Sequence, residues 1–418
     1  MSRIQVKDNY FVKDGRPFFY QGDTLWMAFS KLSLPEWKEI MRMRREERFT
    51  VAQISVLPIT HDNAPDESDL QPFPVKNGRY DFDQISDAYF DHAEKLLAET
   101  VRQGLVPCLH LLWVDYVPGT WGARLNPECA MTWEQTEKYL RYAILRFEQY
   151  EPIYSLTGDT KFENDEVIGH YRKALRLLRE LAPEALVTMH LTSHADPPAE
   201  FDLDFYSYQQ GHVEEEFDNA FIFAEQFLAR RDGKPIVNTE PPYEGHGYGR
   251  RYGRYTAFDI RRALWTSLLS GASAGTGYGA HGVWMMYRHG QPFSGMAFSD
   301  KPFLLQTALA FPGALEGGFA QHLYECFGCF GMKPFDCLNG MPDQIRAAKT
   351  ADGVILIYSP YCRDIKTNIP FSDYIYDAFN MQDKSYLKPE VTSDERGMAI
   401  LAMPEYNADT LFILRKKR

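Results

Sequence analysis

Eight short apolar segments, most of them separated by helical patterns, constrain the fold of this chain more than any other feature of its sequence. Most are near-continuous apolar runs, as expected for parallel strands that are covered on both faces. In chain order they are residues 17–21, 49–56, 105–112, 153–156, 185–190, 204–208, 235–239 and 272–278. Strands and helices in such alternation predict a (β/α)8 TIM barrel of the α/β class.

The connections between these segments support the same fold. Residues 85–101 and 217–228 each place their apolar side chains on one helical face. Residues 33–36 carry a Ser, an early Pro and a Glu, a pattern typical of a helix start. Residues 192–202 are too short and Pro-rich for a helix. A doubly wound open sheet is the alternative, but no glycine-rich phosphate-binding turn follows the first segment.

The last quarter of the chain has a different pattern. Residues 352–359, 397–402 and 410–415 read as strands separated by turns, which indicates a small antiparallel β-sandwich. With 418 residues the chain is long enough for a barrel and such an appendage. We therefore predict a catalytic barrel over residues 1–325 and a C-terminal β-sandwich over residues 326–418.

Charge and hydropathy exclude several classes of partner. The chain has 45 Lys and Arg against 57 Asp and Glu, a formal net charge of −12, which argues against general nucleic-acid binding. No apolar stretch approaches the roughly 18 to 20 residues that span a membrane. Residues 1–8 lack the apolar centre of a signal peptide, so we expect a cytoplasmic protein without a membrane partner. The six Cys are sparse and irregular, which predicts free thiols rather than a zinc site.

Two of the apolar segments lead directly to a carboxylate. Asp159 follows the fourth segment and Glu240 follows the seventh. Active sites of (β/α)8 barrels lie at the C-terminal ends of the strands. Two carboxylates that face each other there are the minimum requirement for hydrolysis of a glycosidic bond. Asp159 could instead cap a helix that begins near Glu163.

Polar and aromatic residues that suit sugar binding lie at the other strand ends. We predict stacking rings at Trp113, Tyr243 and Trp284, hydroxyl-binding groups at His110, His190, Gln209 and His281, and further substrate contacts from Asp23, Trp26 and Glu244. Asp23 could equally brace the barrel rim. Glu244 is a rival of Glu240, but it lies four residues beyond the strand, where its position is less well defined.

Three other interpretations of these residues remain open. A metal-dependent hydrolase would use His and carboxylate ligands, but the His residues come singly, without a His-x-His or His-Glu-x-x-His pattern. Residues 271–275 match a Gly-x-Ser-x-Gly elbow, but a helix precedes the Ser where a strand is needed. A non-catalytic carbohydrate-binding barrel is the third. We expect the protein to use neither a metal nor another cofactor. We expect its substrate to contain a sugar.

Residues 18–26, 157–159 and 234–245 resemble motifs of the apiosidase-like glycoside hydrolases, family 140 and its relatives. These are (β/α)8 barrels followed by a small β-sandwich. The resemblance implies retaining hydrolysis with Asp159 as acid/base and Glu240 as nucleophile. An Asp preceded by Gly, rather than a Glu preceded by Asn, fits this branch of the larger clan. Because no export signal is evident, we expect an exo-acting enzyme for a small plant-derived glycoside or oligosaccharide.

Overall fold

The computed structural model describes residues 3–61, 69–249, 253–291, 293, 299–403 and 409–417. Its centre is a barrel of eight parallel strands: β1 Tyr20–Thr24, β2 Val51–Ser55, β3 Val106–Trp113, β4 Ile153–Gly158, β5 Val187–Thr188, β6 Tyr206–Gln209, β7 Ile236–Glu240 and β8 Gly275–Tyr278. Strands pair in chain order and β8 returns to β1, while β5 and β6 are not joined by a ladder. Thr188 Oγ1 bridges that gap by donating to the carbonyl of Phe205 at 2.9 Å. The predicted barrel is confirmed.

Helices and short turns cover the outside of the barrel. The helices are α1 Ala28–Lys31, α2 Leu34–Glu46, α3 Asp87–Arg102, α4 Trp121–Leu125, α5 Trp133–Phe147, α6 Asp165–Leu181, α7 Asn219–Leu228, α8 Ala257–Leu269, α9 Leu305–Leu309 and α10 Ala314–Phe327. Helix α2 begins with the predicted capping box, in which Ser33 and Glu36 each bind the other's backbone N–H. No helix lies between β5 and β6, as predicted, and residues 189–205 are all described. None of the described helices is long and apolar enough to cross a membrane.

The first strand was predicted a few residues too early. Arg16–Phe18 belongs instead to a small antiparallel sheet with Gln5–Lys7 and Tyr10–Lys13, and β1 begins only at Tyr20. Phe11 of this sheet packs edge-on against Phe205, with ring centroids 5.1 Å apart. The sheet thus belongs to the apolar cluster with the first residues of β2 and β3, and it closes the N-terminal end of the barrel. Among the described residues, the C-terminal end of the barrel is the one left open for a site.

The C-terminal part consists of two antiparallel sheets. Its strands are β9 Lys333–Pro334, β10 Arg346–Lys349, β11 Ile355–Ser359, β12 Ile365–Pro370, β13 Tyr374–Asn380, β14 Tyr386–Leu387, β15 Val391–Ser393, β16 Met398–Leu401 and β17 Thr410–Lys416. The order β9-β10-β11-β17-β13-β14 forms one sheet and β12-β16-β15 the other. Because side chains alternate along a strand, Ile355 and Ile357 pack between the sheets, whereas Leu356 and Tyr358 pack against barrel helices. The predicted β-sandwich fold is confirmed.

A buried ion pair joins the sandwich to the barrel. Arg261 of α8 donates from Nε and Nη2 to the two carboxylate oxygens of Asp409, at 2.8 and 2.6 Å. Tyr358 donates to the same carboxylate at 2.7 Å. Around this pair, apolar residues of α8 and α10 share one cluster with β11 and β17. The two parts are therefore packed against each other rather than tethered.

Candidate active site

The two predicted carboxylates meet at the open end of the barrel. Asp159 directly follows β4, and Glu240 is the last residue of β7. One carboxylate oxygen of each lies within 4.8 Å of the other. The side chain of Glu240 is 5% exposed and that of Asp159 is 17% exposed, so Asp159 is the more accessible of the two from the cavity.

The backbone around Asp159 is shaped by a tryptophan of the neighbouring strand. A Cβ atom at Gly158 would lie only 2.2 Å from Cε3 of Trp113, so a larger residue at this position would displace the indole. Asp159 then takes a left-handed conformation with φ 55°. Asp tolerates this region better than most residues because its short polar side chain can satisfy the local backbone. The close packing of Trp113 therefore explains why residue 158 is a glycine.

Three side chains hold the carboxylates: one lies just after β5, one in β6 and one in the loop after β6. His190 Nε2 lies 2.9 Å from Oε2 of Glu240 and 3.4 Å from Oδ1 of Asp159. Gln209 Nε2 donates to Oε1 of Glu240 at 2.8 Å and to Oδ1 of Asp159 at 3.3 Å. His212 Nε2 lies 2.8 Å from Oε1 of Glu240. Both oxygens of Glu240 thus face nitrogen atoms.

These contacts determine the charge of Glu240. Burial alone would raise the pKa of Glu240, but the positive charge of His190 and the contact with His212 hold that pKa well below its usual range. Burial would lower the pKa of His190, but the charges of Glu240 and Asp159 raise it to about 9. At neutral pH the pair is therefore a carboxylate and an imidazolium, and an ionised carboxylate suits a nucleophile.

A cavity of about 280 Å³ lies above the two carboxylates. Seven of the predicted site residues line it, namely Trp26, Trp113, Asp159, Gln209, Glu240, Tyr243 and Trp284. Trp26 Nε1 donates to the hydroxyl of Tyr243 at 2.8 Å, and Trp284 Nε1 donates to Nδ1 of His281 at 3.3 Å. Hydrogen bonds of this kind hold large aromatic side chains in one orientation. These aromatic side chains of the cavity wall are therefore held in place before any ligand binds.

The comparison with protein families decides what kind of protein this is. The model of the apiosidase-like catalytic domain matches residues 6–330. The chain belongs to the apiosidase-like family. It is accordingly a glycosidase, and its substrate is a carbohydrate. A search of the curated proteins returned no match.

Solved structures share the fold of this apiosidase-like protein over its whole length. A glycoside hydrolase of family 5 from Bacteroides vulgatus ATCC 8482 superposes with a TM-score of 0.81 at 19% sequence identity, covering 99% of this chain and 93% of that one. A second structure, described as a glycoside hydrolase, superposes with a TM-score of 0.79 at 18% identity, covering 99% and 96%. Barrel and β-sandwich thus occur in the same arrangement in all three.

Two of the predicted hydroxyl-binding His residues of this apiosidase-like protein lie behind the cavity wall. The ring of His110 packs against Trp26, and burial holds its pKa well below the usual range. His281 Nε2 lies 2.8 Å from the carbonyl of Asp300, and burial lowers its pKa to about 4. Both are neutral and bonded within the protein. His190 is also fully buried and does not line the cavity, but its Nε2 contacts both carboxylates.

Asp23 and Glu244, which were predicted to contact substrate, are likewise not among the residues that line the cavity. Arg44 Nε donates to Oδ2 of Asp23 at 2.6 Å, and both side chains are fully buried. Oε2 of Glu244 accepts hydrogen bonds from Tyr278 at 2.8 Å and from the backbone N–H of Gly313 at 2.9 Å. Burial raises the pKa of Glu244 to about 7. These two acids brace the rim of the barrel.

Several lining residues were not predicted. They are aromatic, charged or imidazole side chains from loops that follow the strands, among them His61, Trp121, His212 and His246. His212 follows the end of β6 by only three residues. Its place near a strand end was evident from the sequence, but nothing in the sequence assigned it a role. Trp121 begins α4, in a connection too irregular for periodicity to place.

The same centre could hold a cation. Asp159, His190 and Glu240 each offer one potential ligand atom, and these atoms lie within 4.8 Å of one another. A metal ligand must be deprotonated, however, and the two carboxylates raise the pKa of His190 to about 9. A proton and a metal ion would therefore compete for His190 Nε2.

We expect Asp23→Ala to lower the free energy of unfolding by about 3 kcal/mol, because it leaves the buried Arg44 guanidinium without its partner. This value is at the lower end for a buried pair since Glu47 still lies 2.6 Å from Arg44 Nη1. The change in unfolding free energy can be measured by urea denaturation followed by tryptophan fluorescence. All seven Trp precede residue 330, so the fluorescence reports on the barrel. The exposed Arg42–Glu39 pair lies in α2, the helix that carries Arg44, and Glu39→Ala should leave the stability almost unchanged. Equal effects would contradict a bracing role for Asp23.

Proposed function

We propose that this protein is a retaining, exo-acting glycosidase for a small plant-derived glycoside or oligosaccharide, with Glu240 as nucleophile and Asp159 as acid/base. The observation that carries the proposal is the pair of carboxylate oxygens within 4.8 Å. Carboxyl groups about 5 to 5.5 Å apart are typical of retaining glycosidases, whereas inverting enzymes separate them by about 6.5 to 9.5 Å to admit a water molecule.

The surroundings of the two acids support their separate roles. Glu240 is held ionised by His190, so it is ready to attack the anomeric carbon. Asp159 is more exposed and faces the same cavity, where it protonates the departing glycosidic oxygen. The covalent glycosyl–Glu240 intermediate then reacts with a water molecule that Asp159 deprotonates. The sugar leaves with its original anomeric configuration.

The shape of the cavity supports exo action on a short substrate. Its volume of about 280 Å³ accommodates a sugar ring and part of an aglycone rather than a long polysaccharide segment. Tryptophan and tyrosine side chains form much of its wall, and aromatic faces stack on the C–H surfaces of sugars. We expect the terminal sugar to occupy this cavity and the remainder of the substrate to extend past the rim.

We expect hydrolysis of at least one member of a panel of 4-nitrophenyl glycosides that covers pentosides, hexosides and apiosides in both anomeric forms. Proton NMR of the first product should show the same anomer as the substrate. An inverted first product would overturn the retaining mechanism. Sugar binding without hydrolysis of any member would favour the non-catalytic carbohydrate-binding barrel.

A metal-dependent hydrolase is the second candidate, because Asp159, His190 and Glu240 could together hold a cation. Dialysis of the active enzyme against EDTA separates the two mechanisms. Full activity after dialysis supports the paired carboxylates. Loss of activity that zinc or manganese restores would favour the metal.

A further inference from the structure

Trp113 occupies a rigid position beside both carboxylates. It is the last residue of β3 and is 2% exposed. The benzene edge of its indole lies on Gly158, and its ring centroid is 5.3 Å from that of Trp26 and 5.7 Å from that of His190. Since His190 contacts both acids and Gly158 precedes Asp159, the indole is held next to the reacting centre.

The indole N–H of Trp113 differs from those of the other cavity tryptophans. Trp26, Trp121 and Trp284 donate to Tyr243, to the carbonyl of Asp159 and to His281, respectively. The buried Nε1 of Trp113 has no acceptor among the described residues. Buried donors in proteins almost always have a partner, because an unpaired one loses its hydrogen bond to water without replacement. The atoms that rest on Gly158 belong to the edge of the indole remote from Nε1.

We propose that Trp113 is a specificity-determining residue whose indole N–H donates a hydrogen bond to one hydroxyl oxygen of the sugar in the cavity. This inference rests on the proposed glycosidase function. It changes the role of Trp113 from the stacking platform that its sequence position predicted to a polar contact. A sugar that lacks the hydroxyl leaves the donor buried and unpaired, so the enzyme discriminates against it.

The test compares monodeoxy analogues of the 4-nitrophenyl glycoside that the wild-type enzyme hydrolyses best. For one ring position, we expect wild-type kcat/KM to fall about tenfold or more when the hydroxyl is removed. Trp113→Phe keeps an aromatic ring but removes the donor. Its ratio of kcat/KM between the hydroxylated and deoxy substrates should approach one at that position.

Trp284→Phe is the matched comparison, because it removes a cavity indole whose N–H already has an acceptor in His281. Its discrimination at that ring position should stay as in the wild type, whatever its effect on overall rate. If Trp113→Phe discriminates as strongly as the wild type at every position, the proposal is overturned. A wild-type enzyme that hydrolyses no glycoside would instead overturn the proposed function itself.

A measurement on the unaltered indole covers the case in which Trp113→Phe does not fold. In ¹⁵N-tryptophan-labelled Glu240→Gln protein, the free sugar released by the wild-type enzyme is added and indole N–H resonances are recorded. The resonance of Trp113, assigned by elimination from Phe variants of the other six tryptophans in turn, should move downfield as the hydrogen bond forms. The resonances of Trp26 and Trp284 serve as internal references. Saturating sugar without a Trp113 shift would overturn the proposal.

Discussion

Glu240→Gln is expected to lower kcat by roughly 10⁴- to 10⁶-fold, the scale seen when a catalytic nucleophile is removed. The glutamine amide has nearly the same shape, so the cavity should stay intact, but it cannot form the glycosyl ester. Steady-state hydrolysis of the best 4-nitrophenyl glycoside measures the loss. Circular dichroism checks that the variant is folded.

Glu244→Gln is the matched control for this prediction. Glu244 follows the same strand by four residues but does not line the cavity. We expect it to hydrolyse the same substrate at close to the wild-type rate. If Glu244→Gln abolishes hydrolysis and Glu240→Gln does not, the assignment of the nucleophile is wrong. Intact-mass detection of a glycosyl adduct on Glu240, with a 2-deoxy-2-fluoro glycoside, would identify the nucleophile directly.

Asp159→Asn is expected to lower kcat/KM by about 10²- to 10⁴-fold on substrates with poor leaving groups, because the departing oxygen is no longer protonated. The loss should be much smaller with a dinitrophenyl leaving group, which departs without a proton. The second step still needs a base, so covalent intermediate should accumulate. Azide, which attacks without base assistance, should then accelerate turnover and release a glycosyl azide.

Asp165→Asn serves as the control for this variant. Asp165 is exposed in the first turn of α6, six residues after Asp159. It should retain wild-type rates on both kinds of leaving group. An Asp159→Asn enzyme that loses the same factor on every leaving group and does not respond to azide would contradict an acid/base role.

Much of the fold was predictable because it follows from local patterns. Buried parallel strands are short apolar runs, and the helices between them carry apolar stripes, so periodicity located both. The position of Asp159 and Glu240 at the strand ends follows from the same patterns. The first strand was misplaced because residues 16–18 are also β-prone and pair with an earlier hairpin. The local sequence does not show whether these residues pair with the hairpin or with the barrel strands.

The direction of a side chain at the rim was harder to predict than its position along the chain. Tyr243 and Glu244 are neighbours, yet Tyr243 lines the cavity and Glu244 binds the backbone of Gly313. Asp23 lies at a strand end like Glu240, but Arg44 of α2 holds it in the barrel wall. Whether such an acid faces the substrate or binds another group of the barrel wall depends on residues far away in the chain.

The sequence by itself determined the class of fold and the two strand ends that carry the acids, because both depend on side-chain periodicity over a few residues. Only the tertiary structure decided the distance between those acids, the His190 and His212 contacts that keep Glu240 ionised, and the burial of an unpaired indole N–H at Trp113. Distances and desolvation between residues from different strands arise from packing. Packing is set by the whole barrel rather than by any one segment.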